Sequence, residues 1–121
     1  MMLGLRTVKY GVVDLAEARD WYSRAFETKP YFDQPFYVGF NIGGYELGLD
    51  PDTKPGGTGV VAYWGVTDID SSFGRLIRLG AKVEERVKEV GDGIKVASVL
   101  DPWGNVIGLI FNPHFKLAGQ V

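Results

Sequence analysis

The 121-residue sequence predicts an α+β fold built from two copies of a strand–helix–strand–strand–strand module. Two segments combine a capping residue with apolar residues at helical spacing, and short apolar segments between glycine-rich turns have the composition of strands. The two halves of the chain also align. A shift of 54 residues pairs Asp14 with Asp68, and near the end of each half a shift of 60 pairs Gly48 with Gly108. Such self-similarity indicates a duplicated module.

The first module begins with a strand and a helix. Residues 5–13 alternate and are rich in β-branched and aromatic side chains, which predicts strand 1. Asp14 follows as a helix cap, and Glu17 stands three residues further on, as in a capping box. The helix is expected over residues 15–26. Its apolar stripe consists of Leu15, Ala18, Tyr22, Ala25 and Phe26.

Three strands are expected to complete this module, over residues 31–33, 36–42 and 45–49, with Gly43 and Gly44 forming the last turn. The polar stretch DPDTKPGGTG, residues 50–59, is rich in proline and glycine and is the best candidate for a linker.

The second module repeats this order. A strand is expected over residues 60–66, and Asp68 caps a helix that begins at Ile69 and ends near Gly80, a natural helix stop. Further strands are expected near residues 82–90, 94–100 and 106–112. We therefore expect one domain over residues 1–121, with module 1 over about 1–50, a linker over 51–59, module 2 over about 60–113 and a tail over 114–121.

Composition excludes several classes of function. The net charge of −2 and the lack of a basic block argue against binding to nucleic acid. No apolar run approaches the roughly 20 residues that span a bilayer, and no signal peptide is recognisable. The chain has no cysteine, which agrees with a reducing compartment. A cytoplasmic location without a nucleic-acid or membrane partner is therefore expected.

Three stretches resemble the vicinal oxygen chelate superfamily, which includes glyoxalase I, bleomycin-resistance proteins and extradiol dioxygenases. VVDLAEARDWY is similar to the opening of its first module, GVTDIDSSFGRLIRLGA to the opening of its second, and DPWGNVIGL to its final turn and strand. The resemblance implies that the two modules form a concave eight-stranded cup with the helices outside. It also implies a homodimer, because members commonly dimerise and because sheet edges need covering.

The resemblance further implies where metal-dependent members carry their four ligands on the inner wall of the cup. Those positions hold Thr7, Gly48, Val61 and Gly108 here. Glycine and valine offer no donor, and divalent transition metals favour imidazole, carboxylate or thiolate ligands. Glu46 is the only carboxylate near these positions. We therefore expect a member that lacks the usual metal ligands and needs no cofactor.

Strand alternation predicts which side chains line the cup. An apolar hollow with a few convergent polar groups is typical of a small-molecule site. Glycines at 11, 39, 48, 65 and 108 are expected to leave open volume along this wall. The candidate ligand-binding residues are Lys9, Tyr37, Asn41, Glu46, Gly48, Tyr63 and Gly108.

Each candidate has a structural alternative. Lys9 and Glu46 could form only an ion pair across the sheet, and Tyr37 and Tyr63 could simply pack the cup. Trp103, at the tip of a turn, is expected to be exposed and to contact a ligand or a second copy. His114, the only histidine, is expected to be structural or at the surface.

The leading hypothesis is a metal-free protein that binds a small, partly aromatic molecule in the cup. The alternative is a glyoxalase-like lyase or isomerase, or a dioxygenase-type enzyme, either metal-free or with an atypical metal site. In the metal-free case Glu46 would be a general base with its pKa raised by burial, and Lys9 or Tyr63 would stabilise an oxyanion.

Overall fold

Two modules with the order strand–helix–strand–strand–strand follow one another along the chain, as the repeat predicts. The computed structural model describes residue 5, residues 7–56 and residues 61–114. The first module consists of β1 (Thr7–Gly11), α1 (Leu15–Ala25), β2 (Phe32–Gln34), β3 (Tyr37–Ile42) and β4 (Tyr45–Asp50). The second consists of β5 (Ala62–Gly65), α2 (Ile69–Arg78), β6 (Lys82–Gly91), β7 (Ile94–Leu100) and β8 (Val106–Phe111).

The expected element order is confirmed, and most ends differ by one or two residues. The largest difference is in β1, which ends at Gly11 although the alternating pattern continues to residue 13. The alternating sequence pattern therefore continues past Gly11, the last residue that pairs with β4, and Val13 at its end is exposed. The expected strand over 60–66 begins outside the described residues and is observed as Ala62–Gly65.

Both helices begin at the expected caps. The Asp14 side chain accepts a hydrogen bond from the Glu17 backbone N–H at 3.0 Å, and Asp68 accepts one from the Ser71 N–H at 3.1 Å. These bonds satisfy N–H groups that have no partner within the helix. Gly80 has a φ of +102°, and its N–H donates to the Ile77 carbonyl, which ends α2 as expected.

The strands form two four-stranded sheets. Sheet 1 has the order β1-β4-β3-β2, and sheet 2 has the order β5-β8-β7-β6. The first strand of each module pairs in parallel with the last, and the other pairs are antiparallel. Each sheet is open, with two edge strands. The α+β class and the duplicated module are therefore confirmed.

The described chain divides into two compact units. Unit 1 consists of Met1–Val60 and Pro102–Asn105, and unit 2 of Val61–Asp101 and Val106–Val121. The turn between β7 and β8 thus belongs to unit 1. The single domain expected over the whole chain stays a prediction.

The core of each unit lies between one sheet face and its helix. In unit 1, Val38, Phe40, Leu47 and Leu49 are almost completely buried, and α1 contacts β3 and β4. In unit 2, Ala97, Val99, Ile107 and Leu109 are buried in the same way, and α2 contacts β7 and β8. These residues occupy alternate strand positions, as expected when one face of a strand packs against a helix.

A buried asparagine holds the β7–β8 turn in unit 1. The Asn105 side chain donates from Nδ2 to the Gly11 carbonyl at 2.7 Å, and its Oδ1 accepts from the Gly56 N–H at 3.0 Å. One amide thereby satisfies a backbone acceptor and a backbone donor that lie far apart in sequence.

Replacing Asn105 with alanine is expected to lower the free energy of unfolding by about 1–3 kcal/mol, because buried backbone groups lose their partners. Urea unfolding measures this change. Gln34→Ala is the control, since that side chain is exposed, and it is expected to cost about 0.5 kcal/mol or less. Equal costs for the two variants would contradict the role of Asn105.

Candidate functional site

The face of sheet 1 turned away from α1 carries polar side chains from β1, β3 and β4. We call it the polar face. The pairing register places Thr7 opposite Glu46, Lys9 opposite Gly48, and Phe32 opposite Gly39. Directly paired residues lie on the same face of a sheet. The polar face consists of Thr7 and Lys9 of β1, Glu46, Gly48 and Asp50 of β4, Tyr37, Gly39 and Asn41 of β3, and Phe32 of β2.

Three hydroxyl groups converge on one carboxylate on this face. Tyr37 donates to Glu46 Oε1 at 2.7 Å, and Thr7 donates to the same oxygen at 3.2 Å. Tyr31, which precedes β2, donates to Glu46 Oε2. We call these four residues the Glu46 cluster. They come from three strands and one loop, so the cluster exists only in the folded unit.

The hydrogen bonds determine the charge state of the cluster. The Tyr31 hydroxyl above all, and those of Tyr37 and Thr7, stabilise the Glu46 carboxylate and hold its pKa below the ordinary range, although partial burial opposes this. Burial, and then the bond to Glu46, raise the pKa of Tyr37. The bond to Glu46 also raises the pKa of Tyr31. At neutral pH the cluster therefore holds one negative charge and two protonated phenols.

This charge state corrects the expectation that burial raises the pKa of Glu46. The pKa is lowered instead, because the stabilisation from three donors outweighs desolvation. A carboxylate with a depressed pKa has a low affinity for protons. Glu46 is consequently a weak general base.

Lys9 pairs with Asp50 and not with Glu46, so the expected Lys9–Glu46 ion pair is wrong. Lys9 Nζ lies 3.1 Å from Asp50 Oδ2. Asp50 also accepts from the Asp52 N–H at 2.8 Å and from the Thr53 hydroxyl at 2.9 Å. The Asp52 bond, then Thr53 and Lys9, lower the pKa of Asp50. Asp50 is held in place by its own turn, and it attracts Lys9 there.

Tyrosine rings fill the volume that the glycines of the polar face were expected to leave open. A Cβ built on Gly48 would lie 2.6 Å from Tyr37 Cζ, closer than real Cβ contacts allow. A Cβ on Gly39 would lie 2.9 Å from Glu46 Oε2 and 3.3 Å from the Tyr31 ring. The two glycines thus provide flat surfaces over which the tyrosines reach Glu46.

The other three glycines of the expected wall, at positions 11, 65 and 108, differ in the space beside them. Gly11 lies under the backbone of the segment that follows β4, where its Cβ would be 2.6 Å from the Lys54 carbonyl oxygen. A Cβ on Gly108 would lie 2.7 Å from both the Ala62 carbonyl oxygen and Tyr63 Cδ1. Only Gly65 of the five faces open space. The expectation of open volume is therefore wrong at positions 11, 39, 48 and 108.

Unit 2 carries a smaller polar group on its corresponding face. Tyr63 lies beside Gly108, its partner in the β5–β8 register, and is half exposed. The buried Ser98 of β7 donates to a carboxylate oxygen of Glu84 on β6. The sequence analysis missed this pair, because bulges in the β6–β7 register change which residues lie opposite each other.

Three other candidates have structural partners. Asn41 Oδ1 accepts from the Gly44 N–H at 2.9 Å and stabilises the β3–β4 turn. His114 is exposed, as expected, and its Nε2 lies 2.8 Å from the Asp92 carbonyl oxygen. Trp103 is only partly exposed, because its ring packs edge-on against Trp21 with centroids 6.1 Å apart. The expectation of an exposed Trp103 is wrong.

Tyr31 is the member of the Glu46 cluster that the sequence analysis did not identify. The strand was expected to begin at residue 31, but β2 begins at Phe32, so Tyr31 lies before the paired residues and its side-chain direction does not follow from strand alternation. The Tyr31 N–H donates to the Gly39 carbonyl at 3.0 Å, and this bond brings the ring across the sheet. The one feature of the sequence that could have indicated this contact is Gly39, which has no side chain to keep the Tyr31 ring away from Glu46.

The donor set does not fit a metal ion at the positions that the resemblance assigns. The Thr7 hydroxyl donates to Glu46, and Tyr37 lies over Gly48. Val61 and Gly108 supply no side-chain donor. Across residues 5, 7–56 and 61–114, no group of three or more histidines or acidic residues could hold a metal ion.

The comparison with protein families agrees with this fold. The model of the Glyoxalase/Bleomycin resistance protein/Dioxygenase superfamily matches residues 4–109. The chain belongs to this superfamily. An uncharacterized protein of Mycobacterium bovis, Mb0911c, is 29% identical over 112 residues, an alignment that covers 78% of this chain and 74% of that protein. An uncharacterized protein of Mycobacterium tuberculosis, Rv0887c, is equally similar, and 66% of its length is covered.

Solved structures of superfamily members share the architecture. A glyoxalase-related enzyme from Fulvimarina pelagi superposes with a TM-score of 0.80 at 18% identity, covering 98% of this chain and 94% of that one. Lactoylglutathione lyase from Agrobacterium tumefaciens gives a TM-score of 0.74 at 20% identity, covering 96% and 100%. At such identities the likeness establishes the fold. In the described part of this superfamily member, no helix is long and apolar enough to cross a membrane.

A methyl group at Gly48 tests the contact with Tyr37. Gly48→Ala is expected to push the Tyr37 ring away from Glu46 and to lower the free energy of unfolding by about 1–3 kcal/mol. Gly65→Ala is the matched control and is expected to be nearly neutral, since nothing lies within 4 Å of its Cβ position. Chemical denaturation of both variants measures the difference. If Gly48→Ala were as stable as the parent, Tyr37 would not lie over this glycine.

The lowered pKa of Glu46 predicts a dependence of stability on pH. A carboxylate whose pKa is lower in the folded than in the unfolded chain adds stability above the unfolded value, about 4.3 for glutamate. That stability is lost as the pH falls through the folded value. Glu46→Gln removes this contribution, so the melting temperature of the variant should fall less than that of the parent between neutral and acidic pH. If the melting temperatures of parent and variant fell equally between neutral and acidic pH, the lowered pKa of Glu46 would be contradicted.

Proposed function

We propose that this superfamily member binds a small organic molecule on the polar face of sheet 1, without catalysis and without a metal ion at the family positions. One observation carries the proposal. An ionised Glu46, fixed by three hydroxyl groups, lies on a face that several exposed aromatic side chains border. Fixed polar groups beside apolar surface are characteristic of ligand sites.

The aromatic border consists of three residues near β2. Tyr31 is 62% exposed, Phe32 37% and Phe36 63%. Exposed aromatic side chains that lie together mark contact surfaces more often than those that occur singly. A planar ligand on these rings would gain both apolar contact and ring stacking, worth about 0.5–1.5 kcal/mol per aromatic pair beyond burial.

The proposed ligand-binding set keeps the residues expected from the sequence and adds Tyr31, Phe32 and Phe36. Glu46 and Tyr37 supply the central polar contact, and Gly48 supports the Tyr37 ring. Lys9 and Asn41 lie on the same face, although their polar groups already have partners. Tyr63 and Gly108 stay candidates on the corresponding face of sheet 2 in the other unit.

Binding is favoured over the alternative of a glyoxalase-like enzyme by the chemistry of Glu46 and Lys9, two of the three polar groups that such an enzyme was expected to use. Glu46 has a lowered pKa and is a weak base. Lys9 is paired with Asp50, so its charge is already balanced. Neither group is poised for proton transfer or oxyanion stabilisation at neutral pH. The homodimer and the cytoplasmic location stay predictions.

A library of small aromatic compounds, screened by NMR against the isotope-labelled protein in the presence of a chelator, tests the proposal. Binders are expected to shift the backbone amides of Gly39, Glu46 and Gly48, and the chelator is expected to change neither binding nor the melting temperature. Tyr31→Ala should weaken binding without unfolding the chain, because the side chain is mostly exposed.

Val90→Ala is the control, since this exposed side chain lies on β6 in the other unit. Two results would contradict the proposal. Binders could shift only amides away from the polar face, or binding could require about one equivalent of a transition metal that the chelator removes.

A further inference from the structure

We infer that the polar face selects an organic cation, an ammonium or guanidinium group on an aromatic or apolar body, held between Glu46 and the neighbouring aromatic rings. This inference rests on the proposed function and names the chemical class of its ligand. Three properties of the Glu46 cluster and its surroundings lead to it: the direction of its hydrogen bonds, its charge and its aromatic border.

The hydrogen bonds of the cluster use every hydroxyl hydrogen that it contains. Thr7, Tyr31 and Tyr37 have one O–H each, and each donates to Glu46. The cluster therefore offers an incoming molecule only acceptors, namely the remaining lone pairs of the carboxylate and of the three hydroxyl oxygens. A ligand that bonds to the cluster has to supply the donors.

Within the described part of the chain, no basic side chain balances the charge of the cluster. Among the residues that the structure describes, Glu46 forms no ion pair, and Lys9 on the adjacent strand pairs with Asp50 at 3.1 Å. Asp50 is itself fixed by Asp52 and Thr53, which keeps Lys9 on that side. The lowered pKa of Glu46 keeps the carboxylate ionised at neutral pH. An ammonium or guanidinium group would supply the missing positive charge.

Aromatic rings lie where the body of such a cation would rest. The rings of Phe32 and Phe36 meet edge to face with centroids 6.0 Å apart, and Phe32 lies 6.2 Å from Tyr37. With Tyr31 they form what we call the aromatic rim. The faces of aromatic rings attract cations within about 6 Å, and clusters of such rings recognise quaternary ammonium groups. A carboxylate beside the rim adds directly to this attraction.

The same features disfavour the other ligand classes. An anion would be repelled by Glu46, and a neutral molecule that only accepts hydrogen bonds would find no free hydroxyl hydrogen in the cluster. A neutral aromatic molecule could stack on the rim but would leave the charge of Glu46 unused. The cation is the class that satisfies both the carboxylate and the rings.

The test compares three probes with a benzyl or phenyl body that differ in charge: benzylammonium, benzyl alcohol and benzoate. Each is titrated into the isotope-labelled protein at the same neutral pH and salt, and the amide shifts of Gly39, Glu46 and Gly48 are followed by NMR. Benzylammonium, which carries both the positive charge and N–H donors, is expected to bind at least about tenfold more tightly than either of the others.

Three variants test which side chains are responsible for binding the cation. Glu46→Gln is expected to weaken binding of the cation about tenfold, since the amide keeps the shape and loses the charge. Phe36→Leu, at an exposed position that the fold does not need, should weaken it about two- to fivefold by removing one ring face. Glu89→Gln on β6 is the control, because it changes the net charge equally and should leave binding unchanged.

Each other outcome has a distinct meaning. If benzyl alcohol or benzoate shifts the same amides with equal or higher affinity, the inference of a cation is overturned and the proposed binding function stands. If Glu46→Gln binds the cation as tightly as the parent, the inference is likewise overturned. If none of the three probes shifts these amides, the cation inference fails, and the broader compound screen decides separately on the proposed function.

Discussion

The parallel pairing of β1 with β4 is the interaction on which both the core and the candidate site of unit 1 depend. It sets Thr7 opposite Glu46 and Gly11 opposite Asp50. Because side chains alternate along β4, the same register buries Leu47 and Leu49 under α1 and turns Glu46 to the other face. A shift of the register by one residue would bury a carboxylate and expose two leucines. The hydrophobic requirement of the core therefore fixes where the charge of the site lies.

Glycine determines how tyrosine reaches that charge. Gly48 and Gly39 have no side chain, so the rings of Tyr37 and Tyr31 can lie across the sheet and place their hydroxyls on Glu46. The position at which metal-dependent relatives are expected to carry a ligand is thereby occupied by an aromatic ring from the neighbouring strand. In unit 2, Tyr63 lies beside Gly108 in a similar way, while the carboxylate of Glu84 receives its hydrogen bond from a serine. Both modules thus place a tyrosine against the glycine of their last strand, but from non-equivalent strands, β3 in the first and β5 in the second, and the polar chemistry around the contact differs.

The sequence allowed the element order, both helix caps and the shared face of the candidate residues on β1, β3 and β4 to be predicted, because hydrophobic periodicity and capping are local signals. The side chain with which each of these residues forms a contact could not be predicted from such local signals. Lys9 stands between two acidic positions of β4, and only the turn that holds Asp50 decides between them. Tyr31 was expected to begin a strand but precedes β2, and Trp103 lies in a turn that packs with unit 1 instead of facing solvent. Periodicity specifies a face, whereas these contacts depend on side-chain reach and on loops that bring distant segments together.

The hydrogen bonds that organise the Glu46 cluster also limit what it can do. Three donors lower the free energy of the carboxylate anion, and the same stabilisation reduces its affinity for a proton. A general base needs a pKa near the working pH, whereas a binding group for a cation needs a charge that persists across that range. Converting the cluster into a base would require removing donors, and the tyrosines that supply them are also rings of the aromatic rim. In this arrangement the features that favour recognition of a cation are therefore the ones that oppose proton transfer.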